Sequence, residues 1–189
     1  MYRVNEIFYS LQGEGANTGT PAVFVRFSGC NLSCFFCDTD FSSYTEMSVE
    51  DIVRAVSAFP AKMVVLTGGE PALQVDKTLV DALHAVNKFL AIETNGTRTL
   101  PEGIDYINVS PKETGKLALF EEDEVKVVYV GQDVEEYREW ISATRYFLQP
   151  CSKEVDGNLS DNREEVIRYC LDHPHWRLSL QTHKILNIR

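Results

Sequence analysis

The feature that most constrains the fold is a rhythm. Short, apolar, β-prone runs recur along the chain, and helical patterns lie between several of them. The runs are Pro21–Phe27, Met63–Thr67, Phe89–Glu93, Tyr106–Val109, Val125–Val130, Tyr146–Gln149 and Trp176–Leu180, each reading as a buried strand. Ser48 with Asp51 three residues on marks a helix start, Asp51 standing where Glu is usual, and Val49, Ile52, Val53 and Val56 follow on one helical stripe. Leu79, Ala82, Leu83 and Val86 form a second stripe and Val166, Ile167, Cys170 and Leu171 a third, all expected in the core. Strands alternating with helices require right-handed crossovers. The predicted fold is therefore α/β with a mostly parallel sheet, open or curled into a partial (β/α) barrel, in one domain over residues 1–189. The charge run Glu121-Glu122-Asp123-Glu124 is expected to be a solvated loop.

Polar motifs carrying Gly or Pro follow nearly every predicted strand. The cysteine cluster follows the first, Gly68-Gly69-Glu70-Pro71 the second, then Asn95-Gly96, Ser110-Pro111-Lys112, Gly131-Gln132 and Pro150. In a parallel sheet all carboxyl-terminal strand ends share one rim, where α/β folds place their sites. Scattered motifs thereby become one expected pocket.

The formal net charge of −10 and the absence of a dense Lys/Arg tract oppose direct binding to nucleic acid. The first residues lack the basic start and apolar run of a signal peptide, and no later stretch suits a membrane span, so a cytoplasmic location is expected. Five cysteines, three of them within Cys30–Cys37, fit metal ligation better than a disulfide framework.

Cys30, Cys34 and Cys37 place three thiolates in one short loop. A closed zinc site needs four ligands, and neither a second cysteine pair nor a nearby histidine completes one, the histidines being His84, His173, His175 and His183. Three thiolates on a four-iron cubane leave one iron open for another ligand. Cys170 lies on the third helical stripe and is expected in the core; neither Cys151 nor His183 is given a role.

The spacing Cys-x3-Cys-x2-Cys, with Phe36 before the last cysteine, resembles the signature of the radical S-adenosylmethionine superfamily. That resemblance implies a [4Fe–4S] cluster on Cys30, Cys34 and Cys37, with S-adenosylmethionine chelated at the open iron. Gly68-Gly69-Glu70-Pro71 resembles the superfamily strand end that meets the methionine amino group. Read alone it would be an ordinary turn.

Leu11-Gln12-Gly13-Glu14-Gly15, Arg26, Cys37-Asp38-Thr39, Thr67 to Pro71, Glu93-Thr94-Asn95-Gly96, Ser110-Pro111-Lys112, Gln149-Pro150 and Gln181-Thr182-His183-Lys184 together resemble the 7-carboxy-7-deazaguanine synthase family. The resemblance spans the chain. It implies conversion of 6-carboxy-5,6,7,8-tetrahydropterin to 7-carboxy-7-deazaguanine with loss of ammonia, a lyase reaction on the route to queuosine, and hence to tRNA modification. It also implies a magnesium ion on Thr39. By position, Leu11, Gln12, Gly13, Arg26, Thr67 and the terminal Arg189 would hold the pterin, with Arg26 on its carboxylate. Phe36, Cys37, Asp38, Gly69, Ser110, Pro111, Lys112, Gln149 and Pro150 would line the S-adenosylmethionine site. A homodimer and a reducing electron-donor protein such as flavodoxin follow from the same resemblance. Read alone, Thr39 is a turn residue, Arg26 a surface ion pair and Lys112 a solvated lysine.

Two rivals remain at this level. A glycyl-radical activase can carry the same cysteine spacing but would act on a protein. A non-catalytic iron–sulfur electron carrier would need a fourth cysteine near the cluster, and none is evident.

Overall fold

The computed structural model describes residues 1–112, 116–155 and 158–189. Its elements, in chain order, are β1 (Tyr2–Leu11), β2 (Pro21–Phe27), β3 (Thr45–Met47), α1 (Val49–Ser57), β4 (Met63–Gly68), α2 (Lys77–Ala85), β5 (Phe89–Thr94), β6 (Tyr106–Val109), β7 (Glu121–Tyr129), α3 (Glu135–Trp140), β8 (Ser142–Pro150), β9 (Lys153–Val155), β10 (Asn158–Ser160), α4 (Arg163–Asp172), β11 (Arg177–Leu178) and α5 (Thr182–Leu186). One nine-stranded sheet runs in the order β11-β8-β7-β6-β5-β4-β2-β1-β3, and β9 pairs with β10 in a separate hairpin. From β2 to β11 every neighbouring pair is parallel; β1 and β3 add an antiparallel edge. The sheet is open, ending at β11 and β3, so the expected partial barrel is realised without closure.

Period-two alternation sorts the strand residues onto two faces. On one face Val23, Val25, Phe27, Val64, Leu66, Leu90 and Ile92 pack against Ile52, Val56, Leu79 and Leu83 of α1 and α2. Val109, Val125, Val127 and Leu148 continue that face under α3 and α4, with Tyr137, Val166 and Trp176. The opposite face carries Phe8, Phe24, Met63, Val65 and Ala91, and among the described residues no helix covers it with a matching apolar layer. The α1 start is as expected: the Asp51 amide donates to the Ser48 hydroxyl at 3.1 Å, and the Ser48 amide to the Asp51 carboxylate at 3.1 Å.

Three expectations change. Glu121–Glu124 is the first half of β7, not a solvated loop, and Glu124 is 1% exposed. The strand tolerates these acids because donors meet them: the Ile107 amide reaches Asp123 at 2.8 Å, and the Tyr106 hydroxyl and Ala16 amide reach Glu124 at 2.7 and 2.9 Å. The third helical stripe is only partly core. Val166 and Cys170 face the sheet, whereas Ile167 is exposed and Leu171 is 78% exposed. Tyr169 takes the intervening inward position, its ring 5.7 Å from that of Tyr129 and its hydroxyl 3.1 Å from Glu135. Finally, β1, β3, α3, α5 and the β9–β10 hairpin lie outside the predicted set of elements. No disulfide joins the cysteines, and no helix among the described residues is long and apolar enough to cross a membrane.

Candidate active site

The uncovered face of the sheet opens onto a cavity of about 620 Å³ at the carboxyl-terminal strand ends. Alternation aims Phe24 and Arg26 of β2, Val65 and Thr67 of β4, Glu93 of β5, Lys126 and Val128 of β7 and Gln149 of β8 into it. Loops after β2, β4, β5, β6 and β8 supply Cys30, Cys34, Cys37, Gly69, Asn95, Ser110 and Lys112, with Pro150 ending β8. The shared rim read from the motifs is thus one cavity wall. Gly131-Gln132 takes no part in it: Gln132 folds back onto its own strand end, donating to the Val128 carbonyl at 2.9 Å.

The cysteine loop is fastened by the glycines. The Gly69 and Glu70 amides donate to the Phe27 and Gly29 carbonyls at 3.1 and 2.9 Å, joining the ends of β4 and β2. Gly68 has φ +130°, and a Cβ there would sit 2.1 Å from the Phe27 oxygen. A Cβ on Gly69 would lie 2.1 Å from the Gly29 oxygen and 3.1 Å from the Cys30 Cβ. The Glu70 carboxylate is committed inward, accepting from the Thr94 hydroxyl and Asn95 amide, both at 2.7 Å, and from the Ala72 amide at 3.0 Å. Burial raises its pKa against those donors. What this strand end offers the cavity is therefore glycine backbone, and Glu70 braces it.

All three thiols line the cavity instead of packing into the core. Burial raises the Cys30 thiol pKa, and the charges of Glu70, Cys34 and Cys37 add to it, while the Leu32 amide opposes. No group of three or more His, Cys, Asp or Glu side chains among the described residues is gathered as a single ion requires. Three soft donors spread around one loop and facing open space suit a polynuclear iron–sulfur cluster better than one zinc ion.

The remaining expected residues fall around this loop. Phe36, Cys37, Asp38 and Thr39 line the cavity beside it, and the Lys112 ammonium stands 5.9 Å over the Phe36 ring. Lys112 is not a solvated surface lysine: burial, its main perturber, brings its pKa down to about 8, and it donates to the Ser110 carbonyl at 2.8 Å. Pro111 is buried behind Ser110 and does not line the cavity, because Ser110 and Lys112 alternate to the inside. Leu11, Gln12, Gly13, Arg26 and Arg189 line the same cavity. The Arg26 Nε donates to Glu6 at 2.8 Å, and Arg189 pairs with the other oxygen of the same carboxylate.

Sequence reasoning missed the charged floor. Lys126, 4% exposed, pairs with Glu14 at 2.5 Å and Glu93 at 2.9 Å. Gln12 and Asn108 donate to Glu93 at 3.2 and 2.7 Å. Burial alone would discharge Lys126, but the two carboxylates outweigh it and hold the ammonium charged. Burial likewise pushes Glu14 up, yet Lys126 and Gln181 bring it below the usual carboxylate range, while burial leaves Glu93 raised. The available signal was a lysine between Val125 and Val127 in an otherwise apolar run.

The segment around α5 lines the cavity through Gln181, His183 and Lys184. The Thr182 amide and hydroxyl both donate to the Gly13 carbonyl at 3.0 Å, Gln181 bridges Glu14 at 2.8 Å and Asp38 at 3.1 Å, and Lys184 pairs with Asp38. His183 lines the cavity against Gly13, where a Cβ would approach its Nδ1 to 2.2 Å; burial lowers its pKa.

A parallel sheet with a three-cysteine loop after its first parallel strand and a Gly-Gly end on the next is the arrangement expected of a radical S-adenosylmethionine enzyme. The Radical SAM superfamily model matches residues 24–145. Over its full length, and the full length of the relative, the chain is 54% identical to a 7-carboxy-7-deazaguanine synthase of Bacteroides thetaiotaomicron. It is 46% identical to that of Nitratidesulfovibrio vulgaris, covering 99% of each chain. The crystal structure of QueE from Escherichia coli superposes with a TM-score of 0.77 at 29% identity, over 95% of this chain and 93% of that one. The chain belongs to the 7-carboxy-7-deazaguanine synthase family, which sets aside both the activase and the electron carrier.

Proposed function

We propose that this chain is a carbon–nitrogen lyase converting 6-carboxy-5,6,7,8-tetrahydropterin to 7-carboxy-7-deazaguanine, with loss of ammonia, on the route to queuosine and related deazapurines. One observation carries the reading beyond family membership. A single cavity is lined by three thiols, glycine backbone, two guanidiniums and the Lys126 charge cluster. These groups match a cofactor and a polar, carboxylated ring system held side by side.

Cys30, Cys34 and Cys37 hold the [4Fe–4S] cluster in this reading. Phe36, Cys37, Asp38, Gly69, Ser110, Lys112, Gln149 and Pro150 surround S-adenosylmethionine, with Pro111 buried between two of them. Bound there, a reduced cluster and S-adenosylmethionine would supply radical chemistry for hydrogen abstraction. The protein's part is orientation, since such a radical takes whichever hydrogen lies within reach. Arg26 holds the substrate carboxylate, Leu11, Gln12, Gly13 and Thr67 hold the ring, and Arg189 closes the wall. The α5 segment, latched to Gly13, Glu14 and Asp38, shields the cavity from water.

Thr39 supplies an oxygen to magnesium, a hard cation that keeps several waters and needs few protein ligands. Thr39 lines the cavity, and among the described residues its hydroxyl makes only a long contact, 3.4 Å, to Asp38, which supports that role. A homodimer, a flavodoxin-type electron donor, a cytoplasmic setting and action as one domain over residues 1–189 extend the same reading from the family resemblance.

The test is anaerobic turnover of the reconstituted protein with reductant, S-adenosylmethionine, magnesium and the carboxypterin, followed by mass spectrometry. Catalytic 7-carboxy-7-deazaguanine, absent in Cys34→Ala, is expected. Accumulation of 5′-deoxyadenosine without the deazaguanine would refute the substrate.

A further inference from the structure

Residues 6, 8 and 10 of β1 share one face by alternation, and all three touch the last residue of the chain. Glu6 pairs with the Arg189 guanidinium, the Phe8 ring lies 5.0 Å from that guanidinium, and the Ser10 hydroxyl donates to the Arg189 carbonyl. The register of β1 with β2 sets Glu6 opposite Arg26 and Phe8 opposite Phe24. Those two rings stack at 4.8 Å, and Arg26 stands 5.8 Å from the Phe8 ring centre. Two guanidiniums therefore flank one aromatic platform with one carboxylate joining them.

Two details fix what that carboxylate does. Glu6 itself does not line the cavity, whereas Arg26, Arg189, Phe8 and Phe24 do. Glu6 also takes only the Nε of Arg26, and among the described residues neither terminal nitrogen of Arg26 has a hydrogen-bond partner. The free Nη pair is the fork that suits a carboxylate.

We infer that Glu6 is a positioning residue, which locks Arg26 and Arg189 into a preassembled clamp for the substrate carboxylate. This rests on the proposed role of Arg26 and deepens it. Glu6 touches no substrate; it fixes the direction in which the Arg26 fork points and draws the chain end onto the cavity wall.

The experiment is steady-state turnover of the reconstituted enzyme as wild type, Glu6→Gln, Arg26→Ala and the double variant, with equilibrium binding of 6-methyltetrahydropterin, which lacks the carboxylate. Glu6→Gln should raise KM for the carboxypterin about tenfold, the equivalent of one charge-assisted hydrogen bond. Its kcat should move far less, its cluster absorbance should be unchanged, and it should bind the methylpterin as wild type does. Added to Arg26→Ala, it should have no further effect. An unchanged or lowered KM in Glu6→Gln overturns the inference, since Glu6 would then be neutral or a competitor of the substrate carboxylate. Additive losses in the double variant overturn it equally. If Arg26→Ala itself leaves KM unchanged, the proposed carboxylate site is wrong and this inference falls with it; if only Glu6→Gln is silent, the site stands and the inference alone fails. Should Glu6→Gln fail to load its cluster, Arg189→Ala decides: a raised KM supports the clamp, and an unchanged KM overturns it.

Discussion

The two faces of the sheet obey opposite rules. The helix-covered face is apolar from β2 to β8, and each side chain there is held by its neighbours' volume. The cavity face carries Arg26, Glu93 and Lys126, and the residues beside them on the other face include Val25, Phe27, Ile92, Val125 and Val127. Charges persist in the middle of a sheet only when paired. Here the pairs come from segments far apart in sequence, Glu14 with Lys126 and Lys126 with Glu93. The contrast teaches that in a parallel sheet a charge inside an apolar strand marks the face left open for a ligand.

The comparison breaks most sharply at Lys126. Lys126→Met fills the space but leaves Glu14 and Glu93 buried without their cation, at a cost of about 3–5 kcal/mol in urea unfolding. Leu79→Ala on the helix-covered face should cost about 2–5 kcal/mol, through a cavity. The two separate by pH: the Lys126→Met loss should shrink as acid protonates the freed carboxylates, while the Leu79→Ala loss should not. Equal pH dependence would mean that the floor is not held by charge pairing.

A smaller global effect with a sharper local one is expected at the junction of β2 and β4. Gly69→Ala forces a Cβ against the Gly29 oxygen and toward Cys30. Overpacking of this kind costs about 1–3 kcal/mol, with the helix-covered core untouched. Cofactor cleavage to 5′-deoxyadenosine should fall much further than stability does. A variant that cleaves the cofactor normally would show that the close approach of the strand end to the cysteine loop is not needed.

What was legible in the sequence divides along the same two faces. The runs Pro21–Phe27, Met63–Thr67 and Phe89–Glu93 announce strands because their outward residues are apolar, and they reappear as β2, β4 and β5 with ends extended by at most one residue. The cysteine spacing and Gly68-Gly69 are local in sequence, so the loop they build could be read directly. β1 escaped notice because Arg3, Asn5 and Glu6 interrupt its apolar residues and its register shifts between Val4 and Glu6. The start of β7 escaped because four consecutive acids imitate a loop until Tyr106, Ile107 and Ala16 donate to two of them. The floor was invisible for a different reason: Glu14, Glu93 and Lys126 become neighbours only when β1, β5 and β7 are placed in one sheet.

The smallest effect tests whether a charge on the helix-covered side behaves differently from one on the cavity floor. Glu135 starts α3 and accepts from Trp176 at 2.8 Å, His175 at 3.0 Å, and Arg138 and Tyr169 at 3.1 Å. Partial burial alone would raise its carboxyl, but these donors outweigh burial and bring the pKa down to about 2 from an ordinary 4.5. A folded pKa below the unfolded one means stability that is present above pH 4.5 and lost as pH falls from there through about 2. The side chain is 36% exposed, so water screens much of the gain. Glu135→Gln should therefore cost only about 1 kcal/mol near neutral pH. More than half of that difference from wild type should vanish by about pH 3. Urea unfolding followed by tryptophan fluorescence reports it directly, since Trp176 donates to the same carboxylate. A loss near neutrality as large as that of Lys126→Met would mean that solvent screening does not separate the two faces, and that the difference between them lies in packing alone.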